Sequence, residues 1–97
     1  MRPDEIFTAL ADGTRREIVD TLAERGASTA TELSAEMPIT RQAVAKHLTH
    51  LHRADLVNPE RRGRETRYRL TTDPLSEAIA WLDDVCSRAQ RDDEAAA

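Results

Sequence analysis

The apolar residues Val44, Leu48 and Leu51 recur at intervals of four and three, which puts them on one face of an α-helix that begins after Thr40. Upstream, PDEIFTALA predicts a short first helix: Pro3 suits a first turn, acidic residues follow it, and Ile6, Phe7 and Leu10 share a face. ADGT interrupts that helix. TRREIVDTLAERG predicts a second, with Ile18, Val19 and Leu22 inward and Gly26 at its C-terminal end. In TATELSAEMP, Thr29 and Glu32 stand in capping-box spacing, Leu33 and Met37 form the buried pair, and the helix stops before Pro38. Downstream of Ala54 the period changes to two: Thr66, Tyr68 and Leu70 alternate with Arg67 and Arg69, and Gly63 sits where a hairpin must reverse. DPLSEAIAWLDDVCSRAQ predicts the last helix, with Asp73 as its cap and Pro74 in its first turn.

Two short helices joined by a tight break at MPIT are a helix-turn-helix, and a hairpin directly after the second of them is a wing. The expected fold is therefore mainly α with a small β-hairpin, a winged helix-turn-helix. The chain has room for one domain, over residues 1–91, with 92–97 as a disordered tail. It shows no internal repeat and no linker. In the last helix Leu75, Ile79, Leu82, Cys86 and Ala89 form a coiled-coil-like seam, suited to a second copy of the chain or to packing within the protomer. With three aromatics, Phe7, Tyr68 and Trp81, a lone protomer has a small core, for which pairing is a common remedy.

Charge sharpens this picture. The chain carries −4 overall, yet Thr40 to Arg69 holds eight cations against three carboxylates, a net of +5 that leaves −9 for the rest. A basic centre between acidic flanks fits a polyanion, the alternative being a solvated basic face without a partner. From Arg41 to Arg53 there is no carboxylate. With Val44, Leu48 and Leu51 inward, Arg41, Gln42, Ala45, Lys46 and Thr49 project outward. Arg or Lys pairs with guanine, Gln with adenine, and the Ala45 methyl packs on a thymine methyl, so Arg41, Gln42, Ala45 and Lys46 are the expected readers of base edges in double-stranded DNA. Thr40, Thr49 and His50, with Arg61, Arg62, Arg64 and Arg67 of the wing, are placed for phosphates. Five arginines lie between Arg61 and Arg69, two of them expected to be idle on DNA. Arg69 in particular is expected to pair with an acid on the body.

Other chemistry finds little support. His47, His50 and His52 lack a cysteine or carboxylate to complete a metal site, and are read as solvated or DNA-contacting. Cys86, the lone cysteine, excludes an intramolecular disulfide and fits a reducing cytoplasm; on an apolar stripe it reads as a small core residue rather than a redox switch. No phosphate loop, GxSxG or HExxH motif is present, and Asp83 and Asp84, adjacent on a helix, diverge by about 100°. The chain is not expected to be an enzyme or to need a cofactor. No apolar run approaches the ~18–20 residues that cross a bilayer, and MRPDEIF lacks a signal peptide's apolar core, so a cytoplasmic protein without a membrane partner is expected.

ALADGTRREIVDTL, TATELSAEMPITRQAVAKHLTHLHRADLV and RRGRETRYRL together resemble the ArsR-type family of winged helix-turn-helix transcriptional repressors, over a stretch from Ile6 to Leu82. The resemblance implies a homodimer whose first and last helices form the interface, here Ile6, Phe7, Leu10, Leu75, Ile79, Leu82 and Cys86. It implies operator DNA read by Arg41, Gln42, Ala45 and Lys46, with Arg62 to Arg67 on the wing. Metal-sensing members carry a cysteine pair before the recognition helix or Asp/His/Glu ligands on the last helix. TELSAEM has no cysteine and LSEAIAWLDDVCSRAQ no histidine, so the likeness is to the non-metal subgroup, with the inducing ligand unspecified. Gly13 stands where a proline is usual, which implies a looser start to the second helix. The rival readings are a winged protein-interaction module without DNA, and a redox- or ligand-responsive switch.

Overall fold

The computed structural model describes residues 3–96; Met1, Arg2 and Ala97, at the ends of the expected domain and tail, lie outside the described residues. The order is α1 (Pro3–Leu10), α2 (Gly13–Arg25), β1 (Ser28–Thr29), α3 (Ala30–Ser34), α4 (Arg41–Arg53), β2 (Val57–Arg62), β3 (Glu65–Leu70) and α5 (Asp73–Ala96). The core gathers Ile18 and Leu22 of α2, Leu33 and Met37 around α3, Val44, Leu48 and Leu51 of α4, and Leu56 and Val57 at the foot of the hairpin. Val44, Leu48 and Leu51 are fully buried, as their spacing requires. Leu10, Tyr68, Leu70 and Leu75 pack against the edge of this cluster.

Side chains satisfy the open backbone groups at three helix starts. Asp12 Oδ1 accepts from the N–H groups of Thr14 and Arg15, at 2.8 and 3.1 Å. The loose start implied by Gly13 is thus offset by a cap, and also by two arginines. Arg15 donates through Nε to the carbonyl of Ala9 (2.6 Å) and through Nη2 to that of Thr8, while Arg16 donates to that of Leu10. The end of α1 is thereby tied to the start of α2. The capping box of α3 forms as expected: Thr29 Oγ1 accepts from Glu32 N–H, and Glu32 Oε1 accepts from Thr29 N–H at 2.9 Å. Thr40 Oγ1 caps α4 by accepting from Ala43 N–H.

The C-terminal end of α4 closes on a Schellman motif. Asp55 takes a left-handed φ of 58°, its N–H reaches the carbonyl of His52, and the N–H of Leu56 reaches that of Leu51 at 2.9 Å. Leu51 and Leu56 are both fully buried, the apolar contact that usually accompanies the motif. The chain passes from recognition helix to wing without slack.

Three expectations need correction. The sheet has three strands, not two: β1 pairs antiparallel with β3 (Ser28 opposite Tyr68, Thr29 opposite Arg67), giving the order β1-β3-β2. A two-residue strand leading straight into a capped helix is too short to leave a periodic signal. The α-helical part of α3 ends at Ser34, and tighter turns, Glu36 N–H to Leu33 and Met37 N–H to Ser34, carry the chain onward. Finally, α5 includes Asp73 as its first residue rather than its cap, with the Thr72 carbonyl accepting from Ser76 N–H, and the helix runs to Ala96. Gln90, Arg91, Glu94, Ala95 and Ala96 are all good helix formers, and no glycine or proline stops them.

β2 is an edge strand, which is where Pro59 can sit without costing the sheet a hydrogen bond. Gly63 and Arg64 make a two-residue turn between Arg62 and Glu65, with positive φ at Gly63 (61°) alone, the requirement of a type II′ hairpin.

Asp55→Val, a β-branched residue at positive φ, is expected to cost about 1–2 kcal/mol in urea denaturation, whereas Asp55→Gly should retain the helix end. The caps also set an acid limit. Asp12 is held below the ordinary carboxylate range, chiefly by the Arg15 N–H, against an opposing effect of burial. Glu32 is lowered too, chiefly by the Thr29 N–H, with burial again opposing and Arg67 and Arg25 adding. Depressed folded-state values stabilise the fold above the unfolded carboxylate range, and that contribution is lost as pH falls through them. Thermal melts should therefore show stability flat through neutral pH and falling in acid, with a smaller fall in Asp12→Asn.

Candidate nucleic-acid interface

With Val44, Leu48 and Leu51 locked inward, the 100° step of the helix turns Gln42, Lys46, Thr49 and Arg53 directly outward, flanked by Arg41 and Ala45 on the wing side. Arg41, Gln42, Ala45 and Lys46 are all exposed. Arg41, Gln42 and Ala45 share one cleft of about 670 Å³ with Arg64, Arg67 and Tyr68 of the wing and Thr29 to Glu32 at the start of α3. Helix and wing therefore converge on one open channel. Lys46 and Thr49 lie further along the same exposed face.

The wing arginines divide by position. Arg61, Arg62 and Arg64, around the turn, are exposed and have no carboxylate partner among the described residues; Arg61 Nε donates to the Gly63 carbonyl at 3.0 Å. Arg41 and Lys46 likewise have none. Nearer the base, Arg67 and Arg69 are both paired. Arg69 meets Glu60 at 3.3 Å, a diagonal neighbour on β2 rather than the acid on the body that was expected. Arg67, expected on phosphate, points to the body instead: Nη1 lies 3.2 Å from Glu32 Oε1 and 3.5 Å from the Ala27 carbonyl, and Nη2 donates to Glu65. Glu32, at the start of α3, supplies the acid that sequence spacing could not match to an arginine 35 residues away.

Other expected contacts shift. Thr49 Oγ1 donates to the Ala45 carbonyl, so in this conformation it has no proton to offer a phosphate. His50, exposed, lies on the α1 side of α4, where it lines a shallower cleft of about 310 Å³ with Asp4, Glu5, Thr8, Arg15 and Arg53. His47, read as solvated or DNA-contacting, is half-buried, and its Nδ1 is buried without a hydrogen-bond partner. Its place on α4, between the core stripe and the outward face, withholds that nitrogen from both water and DNA. Among the described residues no three His, Cys, Asp or Glu side chains are grouped to hold a metal.

α1 and α5 pack together. Phe7 and Trp81 meet with ring centroids 5.7 Å apart at 58°, a tilted aromatic pair. Ile6, expected at an interface between copies, is only 2% exposed and belongs to the protomer's interior; Leu10 and Leu75 are partly used against the core. What remains open is Ile79 at 65%, Trp81 at 48% and Leu82 at 47%, with Cys86 exposed two turns past Ile79. Trp81 was missed as part of this face because it falls outside the four-three spacing of the seam.

Comparison with known proteins agrees with this architecture. A family model described as a helix-turn-helix domain matches residues 10–60. The uncharacterized HTH-type transcriptional regulator YuzN of Bacillus subtilis is 40% identical over 87 residues, covering 82% of this chain and 95% of its own. The transcriptional repressor SdpR of the same organism is 29% identical over 89 residues, covering 92% and 98%. An ArsR-like transcriptional regulator from Rhodococcus sp. RHA1 superposes with a TM-score of 0.89 at 36% identity, over 95% of this chain and 84% of that one. No helix among the described residues is long and apolar enough to cross a membrane. The chain belongs to the ArsR family of winged helix-turn-helix transcriptional regulators, which bind DNA and are not enzymes.

Proposed function

We propose that the protein is a homodimeric repressor that binds an inverted-repeat operator, with Arg41, Gln42, Ala45 and Lys46 at base edges and Arg61, Arg62 and Arg64 on the backbone. One observation carries the reading: exposed cations of α4 and the wing tip, without carboxylate partners, flank a single open cleft. Carboxylates on that face would repel phosphates, and α4 has none. Thr40, at the N-cap, keeps a hydroxyl proton for a phosphate while its oxygen accepts from Ala43. Arg67 is left out of the contact set because its guanidinium is committed to Glu32 and Glu65.

The exposed Ile79, Trp81 and Leu82 support pairing through α5, with Phe7 beneath them. A two-fold pair of recognition helices calls for half-sites about one helical turn, ~10–11 bp, apart. Repression in particular follows the naming of the relative SdpR.

Footprinting on the protein's own upstream region tests the whole reading. Two symmetrical protected half-sites are expected; no protection of any promoter fragment, together with a flat salt response, would favour a protein-interaction module instead. Lys46→Ala or Arg41→Ala is expected to lose about 1–3 kcal/mol on operator and less on random DNA, a relaxation of specificity at a guanine. Arg64→Ala should weaken both alike and reduce the slope of log K against log salt by about one. Ile79→Asp should shift the sedimentation coefficient toward that of a monomer.

A further inference from the structure

We propose that Glu32 and Arg67 form a strut that sets the wing against the recognition helix, so that both are positioning residues for DNA binding and neither touches the duplex. The inference rests on the DNA-binding reading above and adds to it what holds the two halves of the surface at their spacing.

The hairpin needs such a brace. Its tip stands about 17 Å from Leu70 at its base, given ~3.4 Å per strand residue, so a tilt of about 10° there moves Arg64 by about 3 Å. That is enough to break a hydrogen bond to a phosphate. The backbone link between wing and body through β1 is only two residues long, Ser28 and Thr29 against Tyr68 and Arg67. Glu32 reinforces that spot. Its Oε1 accepts from Thr29 N–H at 2.9 Å and from Arg67 Nη1 at 3.2 Å, and its Oε2 lies 3.7 Å from Arg25 Nη2. One carboxylate therefore joins α2, α3 and β3. Arg67 adds a bond to the Ala27 carbonyl just before β1.

Glu32 is also a negative charge in the wall of the cleft shared by Arg41 and Arg64, where a polyanion is to lie. On electrostatics alone its removal favours DNA. Both partners are about one-third exposed (34% and 36%), and pairs of that kind add little stability. Geometry is what the strut supplies.

These two effects have opposite signs, which makes Glu32→Gln decisive. Glutamine is nearly isosteric and its oxygen still accepts from Thr29 N–H, so α3 keeps its start. The charge that holds Arg67 and Arg25 is removed, and the Arg67 contact falls to a weaker hydrogen bond without charge on the acceptor. Binding to the upstream fragment, read by fluorescence anisotropy, is expected to weaken about three- to tenfold. Arg67→Gln should weaken it similarly, and the double variant should be no weaker than the worse single one, since both changes remove one strut. Thr29→Ala, which breaks the cap but leaves the ion pair, should cost less than Glu32→Gln. Unchanged or tighter binding by Glu32→Gln, losses that multiply in the double variant, or an equal loss in Thr29→Ala would each overturn the strut. A wild-type protein that binds no upstream fragment overturns the regulatory reading and the strut together, whereas a wild type that binds and a Glu32→Gln that matches it overturns the strut alone.

Discussion

Burial of Val44, Leu48 and Leu51 against Ile18, Leu22 and Leu33 is the constraint on which the surface depends. A helix has one rotational freedom about its own axis, and three fully buried side chains remove it. Once those residues face inward, the direction of every other side chain on α4 follows at 100° per residue, and Gln42, Lys46, Thr49 and Arg53 have only solvent or a partner to face. The hydrophobic core thus does more than stabilise the protomer. It aims the polar residues, and the absence of carboxylates among them becomes meaningful only because their direction is fixed.

Much of this was legible in the sequence because its signals are local. Capping spacing at Thr29–Glu32, the N-cap at Thr40, the alternation through Thr66, Tyr68 and Leu70 and the glycine at 63 each act within a few residues, and each formed as written. What escaped was non-local. The pairing of Arg67 with Glu32 spans 35 positions, and nothing in a run of arginines marks which one will find an acid. β1 escaped for a related reason: two residues carry no period, and only β3 lying alongside makes them a strand.

The open apolar face of α5 shows the same division. The four-three spacing in α5 marks an apolar stripe, but spacing does not divide a stripe between the protomer's own core and the outside. Leu75 leans on the core while Ile79 and Leu82 stay open, because α1 is only eight residues long and covers just the first turns of α5. Trp81 enters the open face from off the stripe, drawn to the ring of Phe7. His47 illustrates the reverse error. Its neighbours in sequence suggested a wet histidine, but its angular position beside the core stripe half-buries it.

The tight exit from α4 has a consequence for how such a scaffold can vary. Asp55 is the only residue between a helix cap and a buried leucine, so the chain has nowhere to absorb a change in length there. An added or deleted residue would unseat Leu56 and rotate the strand that follows, carrying the wing arginines away from the cleft they share with α4. The Gly63–Arg64 bend lies at the opposite extreme, projecting into solvent, where extra residues lengthen the finger without turning it. Length variation, natural or engineered, therefore belongs at the fingertip, and reach along the duplex can be altered there while the knuckle stays fixed.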